Sequence, residues 1–298
     1  MTAGRYTPEA LSVEIDPHLF VVFGGTGDLA RSKLLPALYR LLRSRDFSDT
    51  VQVLGVASRD IADDEYRRLV RDALSEAGHD VDDDWLGRAV HYQSLRHGFE
   101  ALAARIGQIE DAAGLGGNRA FYLAVPPDVF EDTVEGLGKV GVVDGAGWTR
   151  VVVEKPFGVD RATGSRLNQL LHRWFAEEQI YRIDHYLAKE TVRNLLALRF
   201  ANPIFESSWT RDRIDSVQIT VAEDGGIGTR ARYYDSAGAG RDIIQNHALQ
   251  IFSLVAMEPP VQATAEHIRD EKVKLLKATA AVRRSDLVRG QYTAGRIG

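Results

Sequence analysis

The feature that most constrains the fold is a regular alternation of short apolar runs with longer amphipathic segments in the first half of the chain. The run Leu19–Phe23 is followed by two glycines and then by leucines at helical spacing. A second apolar run spans Val51–Ala57, and apolar residues between Tyr66 and Ala77 then recur on one helical face. Alternating strands and helices are typical of a mostly parallel sheet with helices on both faces.

This pattern continues through residue 153 and then changes. Further strands are predicted at Ala89–Tyr92, Ala120–Val125 and Val151–Val153, and helices at Phe99–Ala112, after Pro127 and at Arg161–Ala176. Val217, Ile219 and Val221 alternate with polar residues, which predicts a half-buried strand, and a glycine-rich loop over 225–240 follows. We therefore predict an α/β chain. A doubly wound, Rossmann-type dinucleotide-binding domain spans residues 1–185, and an incomplete α+β domain with an antiparallel sheet spans residues 186–298.

A glycine-rich turn follows the first predicted strand. Its spacing differs from the common G-x-G-x-x-G pattern, but its glycines allow a positive φ and the close approach of a pyrophosphate. The helix that follows offers N–H groups and its positive end to an anion. We predict a dinucleotide site here, and the alternative is a strand-to-helix turn that binds nothing. The residues of this site are Gly24, Gly25, Thr26, Gly27, Asp28, Leu29, Ala30 and Arg31.

The end of the second predicted strand bears on the choice of coenzyme. An acidic residue there suits the ribose 2′-hydroxyl of NAD, whereas an arginine suits the 2′-phosphate of NADP. The strand ends in Ala57-Ser58-Arg59, which favours NADP with Arg59 as the phosphate ligand. Asp60 follows directly, so the use of NAD also stays open.

Composition excludes several other functions. A net charge of −5 and a pI near 5.9 argue against binding to nucleic acid or to an anionic membrane, since both need an excess of Lys and Arg. The absence of cysteine excludes disulfides, thiolate metal sites and a cysteine nucleophile. No apolar stretch approaches the roughly 18 residues of a spanning helix, and the polar start of the chain lacks the regions of a signal peptide. We expect a cytoplasmic protein.

One later segment concentrates groups that bind anions and hydroxyls. Asp184, His185, Tyr186 and Lys189 lie between a strand-like run and a helical pattern that begins near Glu190. Functional side chains are commonly placed at such element ends. The segment therefore predicts a binding site, although a solvated turn beside a helix would have a similar composition.

A second candidate is His247, which lies on an apolar helical stripe. A lone histidine in that position is more often a core residue than a catalyst. Asp242 and Asn246 add polar groups near the start of the helix and favour a functional role. The apolar residues of the stripe are Ile243, Ile244, Ile251 and Leu254.

Four segments together resemble landmarks of the glucose-6-phosphate dehydrogenase family, in the family's order. The segment from Arg182 to Glu190 is similar to the family's substrate-phosphate motif, R-I-D-H-Y-L-G-K-E, and departs from it only at Ala188. The resemblance runs from about Phe20 to Tyr292. The other three segments are Gly24-Gly25-Thr26-Gly27-Asp28-Leu29, Glu154-Lys155-Pro156-Phe157-Gly158 and Arg241-Asp242-Ile243-Ile244-Gln245-Asn246-His247.

The resemblance implies an activity and a set of roles. The family oxidises D-glucose 6-phosphate to 6-phospho-D-glucono-1,5-lactone with NADP⁺, a step of the oxidative pentose phosphate pathway. By this resemblance His247 is the general base and Asp184 orients it. One base and one hydride acceptor suffice for this chemistry, so we expect no metal. The resemblance assigns the 6-phosphate to His185, Tyr186 and Lys189, the ring hydroxyls to Lys155, Glu223 and Asp242, and the nicotinamide ribose to Lys155.

The largest departure from the family is in length. Family chains continue well beyond the position equivalent to Tyr292, so we expect the second domain to lack most of a large antiparallel sheet and the usual dimer surface. A homo-oligomer is expected of full-length members, and the loss of that surface argues against one here. Two alternatives stay open: a catalytically silent remnant that still binds a dinucleotide, and a two-domain oxidoreductase for an unphosphorylated sugar.

Overall fold

The protein consists of two compact units. The structure is a computed structural model that describes residues 15–44, 50–155, 157–158, 160–222 and 231–290. The two units fall within Ser12–Ile183 and Asp184–Gly298. The predicted domain limits of 1–185 and 186–298 lie close to this division, and as domain limits they stay a prediction.

The first unit is built on a parallel sheet of six strands in the order β3-β2-β1-β4-β5-β6. The order reverses between β1 and β4, which makes the sheet doubly wound and confirms the predicted fold class. The strands are β1 (His18–Phe23), β2 (Val51–Ala57), β3 (Val90–Ser94), β4 (Arg119–Leu123), β5 (Thr149–Val153) and β6 (Ile180–Arg182). The helices are α1 (Leu35–Ser44), α2 (Asp63–Glu76), α3 (Asp83–Ala89), α4 (Gly98–Ala113), α5 (Pro127–Lys139) and α6 (Arg161–Trp174).

Apolar side chains cover both faces of this sheet. Because neighbouring residues of a strand point to opposite faces, Val53 and Leu54 of β2 belong to two different clusters. One cluster joins the sheet to helices α1, α2 and α3, and the other joins it to α4, α5 and α6. Burial on both faces explains why the strands read as nearly continuous apolar runs.

A buried ion pair ties α4 to the start of β4. Arg119 donates from Nε to Glu110 Oε1 at 2.6 Å and from a terminal nitrogen to Oε2 at 2.8 Å. A third donor of Arg119 reaches the carbonyl of Val142 at 2.7 Å. The Arg119 and Glu110 side chains are only 13% and 9% exposed. Water therefore stabilises neither charge well, and each charge is stabilised mainly by the other.

The regular secondary structure in the described residues of the second unit is helical. Its small core combines Val192, Leu254 and Met257 with partly buried apolar side chains such as Leu196 and Ile268. Helix α7 supplies one side of this core, and α10 and α11 supply the other. The elements are α7 (Glu190–Phe200), α8 (Pro203–Glu206), α9 (Ala231–Ala239), a π-helical segment (Gly240–Ala248), α10 (Leu249–Ala256) and α11 (Ala265–Ala278).

The predicted strand at 217–221 is wrong. These residues pair with no strand, and Val217 is 45% exposed. A strand needs a neighbour for its backbone hydrogen bonds, and the described part of the second unit offers none. The antiparallel sheet predicted for this domain is therefore not seen in the described residues.

The predicted glycine-rich loop is wrong from residue 231 onward. Helix α9 occupies that part and continues directly into the π-helical segment. Gly238, with a φ of 70°, interrupts the helical geometry near its end. Each glycine lowers helix propensity by only about 1 kcal/mol relative to alanine, so a stretch that contains glycines can still be helical.

A buried arginine holds the carboxyl end of α10. Arg199 of α7 is 5% exposed and donates to the carbonyls of Leu254 at 2.7 Å and Met257 at 2.8 Å. Trp209 donates from its indole to the carbonyl of Val255 at 2.8 Å. The last carbonyls of a helix lack partners within the helix and carry its negative end, so a cation there stabilises it. Burial lowers the pKa of the Arg199 guanidinium, and Glu258 opposes that shift.

Candidate active site

The glycine-rich turn lies where the strand order of the sheet reverses. Gly24 follows β1 with a φ of 78°, in the left-handed region that glycine tolerates best. A Cβ on Gly24 would lie 2.3 Å from the carbonyl oxygen of Ala124, which follows β4. Both requirements exclude a side chain, and the backbone of the turn stays open to a ligand at the carboxyl edge of the sheet.

Tyr66 of α2 contacts the backbone of this turn. Its hydroxyl donates to the carbonyl of Gly25 at 3.3 Å, and the side chain is buried. A Cβ on Gly25 would lie 2.9 Å from Gly55 Cα, and one on Gly55 would lie 2.2 Å from the Tyr66 ring. Burial raises the pKa of Tyr66, which keeps its hydroxyl protonated and able to donate. The sequence did not reveal this role of Tyr66, because the apolar spacing of α2 identified Tyr66 only as a core residue.

The residues of the turn fit a dinucleotide. The helical segment that begins at Asp28 presents its N-terminal N–H groups to the turn, as an anion requires. Arg31 is half-buried, and no group among the described residues accepts a hydrogen bond from its buried Nε. A phosphate oxygen is a suitable acceptor for that donor. Ala30–Leu34 is π-helical, a geometry often found at functional sites.

Two charged residues, Arg59 and Asp60, follow the end of β2. Arg59 is exposed to solvent, and Asp60 contacts a histidine. The Arg59 side chain is 53% exposed, and its guanidinium lies 3.8 Å from the Glu65 carboxylate. The Tyr92 hydroxyl donates to the Arg59 carbonyl at 2.6 Å and fixes the backbone there. Burial raises the pKa of Tyr92 to about 12, so this donor keeps its proton. Asp60 interacts with His97 at 3.1 Å, which occupies one of its oxygens.

Lys155 follows β5 at the same edge of the sheet. Glu154, the residue before it, accepts a hydrogen bond from the Tyr122 hydroxyl of β4. Burial and then this hydrogen bond raise the pKa of Tyr122. The contact fixes the backbone from which the Lys155 side chain extends.

In the second unit, a hydrogen bond joins Asp184 to His247. His247 lies in the π-helical segment before α10, and its Nδ1 is 2.6 Å from Asp184 Oδ1. The His247 side chain is 0% exposed and that of Asp184 is 10% exposed. The Tyr186 backbone N–H also donates to Asp184 Oδ1, at 2.9 Å. A buried carboxylate on Nδ1 orients the imidazole and leaves Nε2 as the proton acceptor.

Aromatic and cationic groups surround this pair. The Tyr186 ring stacks on His247 with centroids 4.2 Å apart and an interplanar angle of 19°. His185 meets His247 edge-on at 4.6 Å, and the Lys189 ammonium lies 3.8 Å from the Tyr186 ring centroid. His185 and Lys189 are exposed, whereas Tyr186 is buried. The segment thus places two exposed side chains that can donate to an anion beside the buried His247.

The structure gives less information about Asp242 and Glu223, which were also predicted to bind the substrate. Asp242 is half-buried in the π-helical segment that carries His247. Glu223 lies outside the described residues. Their roles toward the sugar hydroxyls stay predictions.

The possible metal-ligand atoms of Asp184, His185 and His247 lie within 4.8 Å of one another, close enough for one metal ion to bind all three. Two of the three groups are already joined by the 2.6 Å hydrogen bond that a base and its orienting carboxylate require. The expectation that the chemistry needs no metal stays a prediction.

Comparison with known proteins gives the family. The family model described as glucose-6-phosphate dehydrogenase, NAD binding domain, matches residues 21–194, and its C-terminal domain model matches residues 196–298. The chain belongs to the glucose-6-phosphate dehydrogenase family. The NAD binding domain model spans the glycine turn, Arg59 and Lys155, and it supports a nicotinamide dinucleotide as the cofactor.

Curated relatives are glucose-6-phosphate 1-dehydrogenases. The protein of Rhizobium meliloti (strain 1021) is 44% identical in an alignment 296 residues long, which covers 95% of this chain and 59% of the relative. That of Bacillus subtilis (strain 168) is 40% identical in an alignment 286 residues long, which covers 94% of this chain and 58% of the relative. The chain thus spans less than two thirds of the length of these relatives.

Solved structures of glucose-6-phosphate dehydrogenases share the fold. One, described as a complex with the substrate glucose-6-phosphate, matches with a TM-score of 0.85 at 35% identity, over 95% of this chain and 60% of that one. The enzyme from Mycobacterium avium matches with a TM-score of 0.82 at 39% identity, over 93% and 61% of the two chains. No helix in the described ranges has both the length and the apolar character needed to cross a membrane.

Proposed function

We propose that this glucose-6-phosphate dehydrogenase family member oxidises D-glucose 6-phosphate at carbon 1 to 6-phospho-D-glucono-1,5-lactone, with NADP⁺ as the hydride acceptor. The main observation behind the proposal is the 2.6 Å hydrogen bond between Asp184 and His247. The His247 side chain in this bond is fully buried from solvent. This geometry suits removal of a proton from a hydroxyl. The exposed His185 and Lys189 beside it suit an anionic substrate.

His247 is the proposed general base. Its Nε2 would accept the proton of the carbon-1 hydroxyl while Nδ1–H stays bonded to Asp184. The ionised Asp184 stabilises the imidazolium that forms, and the Tyr186 N–H holds the carboxylate in place. A bound nicotinamide dinucleotide supplies the hydride acceptor. The base therefore needs to gain and lose only one proton in each turnover.

The phosphate group is assigned to His185, Tyr186 and Lys189. The ammonium of Lys189 is a point charge, and the imidazole of His185 is a donor whose charge depends on pH. Binding a remote phosphate supplies the free energy that positions carbon 1 before the reaction. Lys155, Asp242 and Glu223 remain the proposed ligands of the sugar hydroxyls, and Lys155 also of the nicotinamide ribose.

NADP is the proposed coenzyme. The exposed Arg59 guanidinium at the end of β2 supports a 2′-phosphate contact, and the engagement of Asp60 by His97 weakens the case for a ribose contact there. The glycine turn and Arg31 would hold the pyrophosphate. The cytoplasmic location and the oligomeric state of the protein stay predictions.

The direct test is NADP⁺ reduction by the purified chain, followed at 340 nm, with glucose 6-phosphate beside glucose. We expect turnover with the phosphorylated sugar and very little with glucose at equal concentration. Equal rates would indicate an oxidoreductase for unphosphorylated sugars. Fluorescence quenching by NADPH without any turnover would indicate a remnant that binds a dinucleotide only.

We predict that Arg59→Ala erases a preference for NADP⁺ over NAD⁺. A charge-assisted hydrogen bond contributes roughly 1.5–3 kcal/mol, so NADPH affinity should fall about tenfold or more. NADH affinity should hardly change. Titration of intrinsic fluorescence with each coenzyme measures both values, and Arg68→Ala, an exposed arginine on α2, is the control. Equal losses for the two coenzymes would remove Arg59 from the 2′-phosphate site.

We predict that Lys189→Ala raises the KM for glucose 6-phosphate by roughly tenfold or more, because a charge-assisted contact to the phosphate is lost. The value of kcat should change much less. Glucose is the internal control, since it has no phosphate and its slow oxidation should be insensitive to the substitution. A similar change with both sugars would show that Lys189 acts through the fold.

A further inference from the structure

We propose that Asp184, His185 and His247 form an inhibitory zinc site. Zinc on a ring nitrogen of His247 removes either the lone pair that accepts the proton or the hydrogen bond to Asp184 that orients the ring. The ion is therefore an inhibitor and not a cofactor. Binding of the ion stands on the geometry alone, whereas the inhibition rests on the proposed function.

The first observation is the set of possible ligand atoms. One atom from each of the three residues lies within 4.8 Å of the other two, and together they are two imidazole nitrogens and one carboxylate oxygen. Catalytic zinc sites use this kind of donor set, with water in the fourth position. Mg²⁺ prefers oxygen ligands in an octahedral arrangement, so these residues favour Zn²⁺ over Mg²⁺.

The second observation is the burial of two of these ligands. The side chain of His247 is 0% exposed and that of Asp184 is 10% exposed. The Tyr186 ring stacks on His247, and the Tyr186 N–H donates to Asp184 Oδ1 at 2.9 Å. Both ligands are thus held in place before an ion binds, which lowers the cost of ordering them. Hydrogen bonds to ligating groups also raise the metal affinity of a site.

The third observation is a buried carboxylate oxygen. Asp184 Oδ1 accepts the hydrogen bonds from His247 and Tyr186, but no donor among the described residues reaches Oδ2. A buried acceptor without a donor carries a desolvation cost. Because this oxygen belongs to one of the three ligand residues, a cation bound by them can satisfy it.

His185 completes the site from the side of the solvent. Its side chain is exposed and meets the His247 ring edge-on, with centroids 4.6 Å apart. Tetrahedral zinc needs ligand atoms roughly 3.3–3.6 Å apart, and rotation of the exposed His185 ring can bring its nitrogen that close. The ammonium of Lys189 repels a second cation, but Lys189 is exposed, so water and salt screen its charge.

Calorimetric titration with ZnCl₂ alone tests the site on chain that has been treated with EDTA and dialysed. We expect one tightly bound zinc ion per chain and no comparable binding of MgCl₂. His185→Asn should weaken zinc binding by at least the roughly 10- to 100-fold that follows loss of a ligand's hydrogen-bond partner. Absence of a tight zinc ion, or equal zinc affinity in His185→Asn, would overturn the proposal.

His172→Asn is the matched control for that titration. His172 also lies beside a carboxylate, since its Nε2 is 3.0 Å from Glu177 Oε2, and its side chain is 37% exposed. It belongs to the first unit and has no proposed part in the reaction. Its replacement should leave the tight zinc ion unchanged. Loss of that ion in His172→Asn would place the zinc elsewhere and would contradict the proposed site.

The effect of zinc on turnover tests the inhibition. His185 and His247 are also the proposed phosphate ligand and base, so Zn²⁺ should raise the apparent KM for glucose 6-phosphate, and EDTA should restore the rate. Unchanged turnover at a zinc concentration that fills the site would overturn the inhibitory role. No turnover by the metal-free chain would instead overturn the proposed function and the inhibition with it, while the calorimetric titration would still decide whether the three residues bind zinc.

Discussion

Replacing His247 by asparagine is expected to lower kcat for glucose 6-phosphate by roughly 10²- to 10⁴-fold, the usual contribution of a general base. The asparagine amide can still donate to Asp184 near the position of the imidazole Nδ1, but it has no nitrogen that accepts a proton. The phosphate ligands lie outside this hydrogen bond, so KM should change little. Steady-state kinetics across a range of substrate concentrations separates the two parameters.

Two controls make this result specific. His267→Asn changes a half-buried histidine on α11 that bonds to Thr264, and it should leave kcat unchanged. Thermal unfolding of His247→Asn shows whether loss of the stacked contact with Tyr186 has disturbed the fold. A folded variant that retains kcat within a few-fold would show that His247 is a core residue.

Replacing Arg119 by methionine is expected to destabilise the first unit by about 3–5 kcal/mol, the usual cost of leaving a buried charge without its partner. The substitution removes both hydrogen bonds to Glu110 and the one to the Val142 carbonyl. The Glu110 side chain, 9% exposed, would be left without its cation. Urea unfolding followed by circular dichroism measures the change in the free energy of unfolding.

The double variant Glu110→Gln with Arg119→Met tests the reason for that loss. It removes the unpaired charge, so it should be more stable than Arg119→Met alone. Arg166→Met is the surface control, since Arg166 pairs with Glu131 at side-chain exposures of 69% and 39%. That variant should lose less than about 1 kcal/mol. If the double variant is no more stable than Arg119→Met, the cost arises from packing and not from the charge.

The fold of the first unit could be predicted because its signals are local. Each apolar run from Leu19–Phe23 to Val151–Val153 became a parallel strand, with limits that moved by only a few residues. Strands buried on both faces are apolar throughout, and the helices between them keep one apolar face. Helix α3 was missed because it is short and lies directly before β3.

The second unit was predicted less well because its decisive contacts are distant in sequence. The alternation at 217–221 has the period of a strand, but a strand also needs a partner, which periodicity cannot supply. The two π-helical segments, at Ala30–Leu34 and Gly240–Ala248, have no recognisable sequence signature. Both coincide with predicted functional residues.

In the candidate site, too, contacts between residues that are distant in sequence could not be predicted from motifs alone. Sequence motifs indicated Asp184 and His247 separately, and family resemblance paired them, which their 2.6 Å hydrogen bond is consistent with. The contact between Lys272 of α11 and Gln250 of α10, at 3.0 Å, could not be found in this way. A lysine on an amphipathic helix has the appearance of an ordinary surface residue until the helix is placed.

The support beneath the glycine turn also limits how this sequence can change over evolutionary time. Gly25, Gly55 and Tyr66 fill one small volume, in which a methyl group on either glycine would meet backbone or ring atoms closer than 3.0 Å. A side chain at Gly55 would overlap the Tyr66 ring, so a mutation there is accepted most readily after Tyr66 has been replaced by a smaller residue. A side chain at Gly25 would instead meet the backbone of Gly55, which a change at Tyr66 does not remove. Gly55 and Tyr66 should thus vary together among descendants of this chain, as an epistatic pair, while Gly25 stays fixed.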